Sequence, residues 1–193
     1  MTGSSPDIPS DISSDTAHFT AIPWCAPHLK GTRIIANTIP HRALKPTTSE
    51  NSLFADTLNT SRTVRKMLQV YQETESPTQR VDSAKTFLTL GDGMNGHADY
   101  CHGGMIMAIL DEIVGSIIPL NQRRKTLPQI PYMTAYLNTT FVNPIPTPST
   151  ILAQTRCTKI EGRKFYVEGT LEDENGTILA RAEALFIQLK SPL

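Results

Sequence analysis

In the middle of this chain the stretch "HGGMIMAILDEIVGSII", His102 to Ile118, is an apolar run that two carboxylates interrupt, Asp111 and Glu112. At about 100° per residue, a helical reading puts Asp111 on one face with Gly104, Met107, Ala108, Val114 and Gly115. A carboxylate among such neighbours loses water, and burial disfavours its charged form, which suits it to general-base or nucleophilic work. Glu112 has similar neighbours, so the wheel leaves both acids open, and pairing with a distant basic residue is the structural alternative for either. At the other end of the run, Gly103 and Gly104 follow His102 where the first N–H groups of a helix lack intrahelical partners. Without Cβ atoms, these positions let a ligand oxygen approach the donors closely, as an oxyanion hole requires. His102 and Asp111 are nine residues apart, roughly two and a half turns and about 13 Å of rise. Their side chains point to opposite sides of the helix and cannot meet within one chain. A shared site therefore needs a second copy of the helix, which points to a two-fold dimer.

Positioning such groups takes a scaffold. "KTFLTL", Lys85 to Leu90, reads as a strand with Thr86, Leu88 and Leu90 on one face and Phe87 and Thr89 on the other. The polar loop "GDGMNGHADYC" leads into the helix, which is predicted from about His102 to Ile118 and to stop at Pro119. "YMTAYLNTTFV" then alternates, with Ala135, Leu137 and Phe141 opposite Thr134, Tyr136 and Asn138. "STILAQTRCTKI", "RKFYVEGTLED" and "TILARAEALFIQL" follow, the last two joined by the hairpin signal Asn175-Gly176. The expected order is one strand, one long helix and four strands in a meander, an α+β domain whose antiparallel sheet wraps around a central helix. Upstream, "RTVRKMLQVYQ" places Val64, Met67, Leu68 and Tyr71 at helical spacing and predicts a short amphipathic helix. Residues 1 to about 20 are rich in Ser, Asp and Pro and read as unstructured, and 22–49 as a segment draped over the domain.

Whole-chain properties narrow the function. Lys plus Arg and Asp plus Glu number 18 each in 193 residues, so no charge excess announces a nucleic acid or a membrane surface. No run of 18 apolar residues predicts a membrane span, and the N-terminus has neither the apolar core of a signal peptide nor an Arg-rich face. Three widely spaced cysteines suit reduced thiols, and the expected location is the cytoplasm; the C-terminal "SPL" departs from a peroxisomal address at Pro192. His97, Asp99, Cys101 and His102 match no standard zinc spacing, so no metal is expected. Cys101 as a nucleophile is disfavoured, because His102 beside it in sequence is badly placed to act as its base.

"HGGMIMAILDEIVGSI", "YMTAYLNTTFVNPIP" and "KIEGRKFYVEGTLEDENGTILARAEALFIQL" together resemble the hot-dog-fold acyl-CoA thioesterases. The resemblance is to the phenylacetate-degradation-type, carboxyl-terminal modulator protein-like branch, including its fungal members. It covers Asn51 to Lys190, so that 51–190 is the expected domain and 1–50 an N-terminal extension. It implies an acyl thioester substrate on coenzyme A or on a carrier protein's phosphopantetheine arm, no further cofactor, and a site shared between two subunits. In the family the acid nine residues after the His-Gly-Gly histidine activates water or attacks the thioester carbon, and that acid is Asp111 here. The resemblance further implies that the Gly103 N–H polarises the thioester carbonyl from the opposite subunit, with His102 and Gly104 shaping that corner. Thr134 would orient the attacking water, and Arg163 and Lys164 would meet coenzyme A phosphates. Relatives carry an Asn or Gln six residues before the histidine. Gly96 stands there in this chain, with Asn95 beside it, so the amide's role is vacant or shifted by one residue. That departure motivates one alternative to simple hydrolysis, a pathway enzyme that releases, dehydrates, decarboxylates or cyclises a natural-product intermediate; the resemblance to modulator proteins permits another, a non-enzymatic binding partner.

Overall fold

The computed structural model describes residues 10–190. In chain order its elements are α1 (Ser10–Thr20), β1 (Ile34–Asn37), β2 (Val64–Gln72), β3 (Ser83–Leu90), β4 (Asn95–His97), β5 (Tyr100–Cys101), α2 (Gly103–Gly115), α3 (Ile117–Arg123), β6 (Tyr132–Phe141), β7 (Ser149–Glu161), β8 (Lys164–Glu172) and β9 (Ile178–Gln188). Seven strands form one antiparallel sheet in the order β1-β2-β3-β7-β8-β9-β6, and β4 pairs with β5 as a small separate hairpin. The sheet wraps α2, whose Ile106, Ile109, Leu110, Ile113 and Val114 are buried against Leu88, Ile151, Phe165, Val167 and Phe186. Burying side chains of this size contributes about 1.5–3 kcal/mol each. One glycine sets the approach of helix to sheet: a Cβ on Gly169 of β8 would lie 2.6 Å from Val114 Cγ1. The α+β, helix-in-sheet expectation holds.

Its topology differs in two places. Residues 64–72 are strand, not helix, because β2 is buried on both faces. Met67 and Tyr71 look toward the helix side while Leu68 and Val70 join an outer cluster, and a strand apolar on both sides loses the alternation that identifies it. Nor do the last four strands form a meander. β7, β8 and β9 do, but β6 crosses to the far side and pairs with β9 alone.

The helix does not stop at Pro119 either. A break at Ser116 separates α2 from α3, and Pro119 lies in the first turn of α3, where a missing N–H costs no intrahelical bond. Ser116 Oγ donates to Ile113 O at 2.6 Å and accepts from the buried Gln69 Nε2 of β2 at 2.7 Å, which fixes the break from the sheet. The 21 residues Gly103–Arg123 have the length and mean hydropathy of a membrane-crossing helix, although Asp111 and Glu112 interrupt their apolar run. Here they line the domain core instead.

The expectation of no structure up to about residue 20 is corrected for Ser10–Thr20, which is helical. Residues 1–9 and the "SPL" tail lie outside the described residues. Phe19 is fully buried against the outer sheet face, its ring 5.6 Å from Phe87, and joins Cys25, Leu68, Val70 and Leu152 in a second apolar cluster. Asp15 ties α1 to the sheet through Lys66 at 2.8 Å. The segment before residue 51 thus covers one sheet face and supplies the edge strand β1.

Candidate active site

At the start of α2, His102 is extended (φ −65°, ψ 136°), and its Nδ1 accepts the Gly104 N–H at 2.9 Å. The imidazole is thus the helix N-cap, a role that oxygen side chains usually fill. Met105 and Ile106 N–H groups turn back to the His102 carbonyl, and among the described residues nothing accepts from the Gly103 N–H. A free, forward-facing donor at a positive helix end is the group an oxyanion needs. Gly96 explains itself at this corner: a Cβ there would sit 2.7 Å from His102 Cδ2. The missing amide is excluded by the seat of the histidine ring. Asn95 does not point its carboxamide oxygen to a free site, since that oxygen accepts from Thr147 Oγ1.

Asp111 lies just over two turns along α2. Its Oδ1 accepts from Thr134 Oγ1 at 3.1 Å. The contact depends on a β-bulge in β6: Thr134 pairs with Phe186 and Tyr136 with Leu185, so Ala135 is an extra residue. Simple alternation had put Thr134 on the face opposite Leu137. The bulge brings both to the helix side, Thr134 beside Phe186 and Leu137 beside Ala184. Burial raises the Asp111 carboxyl above the usual range; the Thr134 hydrogen bond opposes this, and the charge of Glu112 adds to it. Glu112 has a different partner, His41 Nδ1, at 2.7 Å.

Two hollows meet at Asp111. One, of about 360 Å³, is lined by Asp111, Thr134, Tyr132, Phe186, Ile118 and Gln122 among others. The other, of about 220 Å³, lies between Asp111, Ala108, Leu53 and Phe54. His41 and Glu112 line both. His102, Gly103 and Gly104 line neither, as the helix geometry requires within one chain. Arg163 and Lys164, at the β7–β8 turn, are exposed and also line neither, and an Arg163 Nη1 hydrogen bonds the Gln188 carbonyl at 2.9 Å. Cys101 is buried, and burial pushes its thiol up to about 11, so it holds little thiolate at neutral pH. Sequence reading missed His41, because a lone histidine between Pro40 and Arg42 in an irregular segment carries no spacing signal.

Residues 98–180 match the model of the thioesterase superfamily. Verlamelin biosynthesis protein B of a Lecanicillium species is 26% identical over 168 residues, 72% of this chain and 73% of that protein. The mouse acyl-coenzyme A thioesterase THEM4 is 34% identical over 97 residues, half of this chain but only 39% of that protein. Among solved structures, a hypothetical thioesterase protein with coenzyme A from Streptococcus pneumoniae TIGR4 superposes with a TM-score of 0.52 at 11% identity. It covers 67% of this chain and 91% of its own. An antiparallel sheet wrapped on one long helix is the hot-dog architecture, and the stretch 98–180 that builds its helix and much of its sheet is similar to the thioesterase superfamily.

Proposed function

We propose that the protein hydrolyses an acyl thioester carried on coenzyme A or on a phosphopantetheine arm. The observation that carries this reading is the Asp111–Thr134 pair at 3.1 Å, set where two hollows meet. Asp111, ionised, takes a proton from water, while Thr134 holds the carboxylate and the nucleophile in register. The hydroxide adds to the thioester carbon, whose oxyanion accepts from the Gly103 N–H supplied by a second copy of the chain; collapse breaks the C–S bond, and the thiolate leaves with the proton that Asp111 took up. The free edge of β6, with Met133, Tyr136 and Phe141 exposed along it, supports that pairing of copies. The names of the mouse relative and of the coenzyme A-bound structure support the substrate class.

A second reading is favoured by the verlamelin relative, which matches more of both chains than the mouse enzyme does. In it, the acyl group is an intermediate of a biosynthetic pathway. The test is thiol release from a panel of acyl-CoAs, short to long and aromatic, against the same acyl groups on a carrier protein. Wild type is expected to release thiol, and Asp111→Asn to lose about 10²–10⁴-fold of that rate while keeping its fold. Full activity in Asp111→Asn overturns the mechanism, and release from the carrier protein alone selects the second reading.

A further inference from the structure

Glu112 adjoins the proposed base in sequence and in space, and an unpaired second carboxylate there would work against Asp111. The chain answers it from outside the part that resembles the family. His41 sits in a short helical turn, Pro40–Arg42, whose Arg42 donates to the Phe54 and Leu58 carbonyls at 3.2 and 3.4 Å. That turn delivers Nδ1 of His41 to Glu112 Oε1 at 2.7 Å, with the Glu112 side chain only 12% exposed. Both side chains line both hollows that meet at Asp111.

We propose that His41 is a positioning residue for the reaction: by holding Glu112 in a hydrogen-bonded ion pair, it keeps a second carboxylate from suppressing the ionisation of Asp111. This rests on the hydrolase reading for its consequence, but not for its physics. The titratable and charged groups around the pair are Asp111 and Glu112 on α2, Lys45 and Glu50 beyond the turn, and Tyr132 on β6; Lys45 and Glu50 pair with each other at 2.6 Å. The Glu112 hydrogen bond raises the His41 imidazole above its ordinary value, so the ring carries its charge over a wider range than a free histidine.

The experiment follows the Asp111 carboxyl by carbon NMR across a pH titration of the full chain in wild type, His41→Gln and Glu112→Gln. Removing the imidazolium leaves Glu112 uncompensated, so His41→Gln is expected to move the Asp111 midpoint upward. Removing the neighbouring charge is expected to move it downward in Glu112→Gln. A pair that only staples the extension to the domain would lower thermal stability in both variants and shift the midpoint in neither, or in the same direction. Either outcome overturns the inference. Should one variant not fold, Glu112→Asp, which keeps the charge and shortens the reach to His41, is expected to shift the midpoint upward, and no shift there overturns it equally. The acid limb of kcat/KM is expected to follow these displacements. Opposed midpoints without any thiol release would refute the hydrolase reading and leave the pair's role standing.

Discussion

Asp111 is held partly out of water, next to a second acid and within reach of one hydroxyl, and each neighbour has a measurable consequence. Burial is the largest influence and raises its carboxyl, Thr134 lowers it and Glu112 raises it. Since Thr134 stabilises the charged form, Thr134→Val is expected to move the acid limb of kcat/KM to higher pH and to cut kcat about tenfold, with Thr134→Ser restoring both. The elevated carboxyl also predicts a stability effect of definite sign. A group whose folded pKa exceeds its unfolded one contributes fully below the unfolded value, and loses that contribution as pH rises through the folded one. Asp111→Asn is therefore expected to melt higher than wild type at neutral pH. Its advantage should vanish in acid below the usual carboxylate range, as thermal denaturation at the two extremes would read.

Among the elements, three local irregularities do the positioning. The β6 bulge at Ala135 turns Thr134 toward Asp111, the imidazole cap of α2 leaves the Gly103 N–H free, and the break at Ser116 is tied to Gln69 of β2. Gly169 governs how deeply α2 seats between them. Gly169→Ala places a methyl 2.6 Å from Val114 Cγ1, so the helix or the sheet must shift. The expected cost is about 1–3 kcal/mol in urea denaturation, with a parallel loss of activity as the helix moves off Thr134. These features account for what sequence reading missed at this scale. The bulge leaves no mark in an alternating pattern, and the two-sided burial of β2 mimics a helix. The helix itself and the turn at Asn175-Gly176 were legible from an apolar stripe and a dedicated turn residue, and the faces of β3 from the strict alternation of its two sides, though both are buried.

At the scale of the molecule, the chain exposes an apolar strip along β6 and on α2, where Met107 is 39% and Met133 51% exposed. The proposed mechanism has two such edges join, so that one copy's Gly103 serves the other's Asp111. Met133→Lys with Tyr136→Lys is expected to give a folded monomer by sedimentation with thiol release at background, and an active monomer would refute the shared site. On the opposite side of the sheet, Phe19 and Phe87 lock the N-terminal segment down, and the same segment carries His41 to Glu112. The sequence by itself determined the central helix, its acid at a fixed distance from His-Gly-Gly, and the impossibility of their meeting within one chain. Those follow from local periodicity and the rigid geometry of a helix. Only the tertiary structure decided the strand order, the face of Thr134, the reason for Gly96 and the partner of Glu112. All but the Gly96–His102 contact join residues far apart in the chain, and neither spacing nor composition encodes which distant side chain will arrive; Gly96 meets a ring six residues on, whose seat only the folded loop sets.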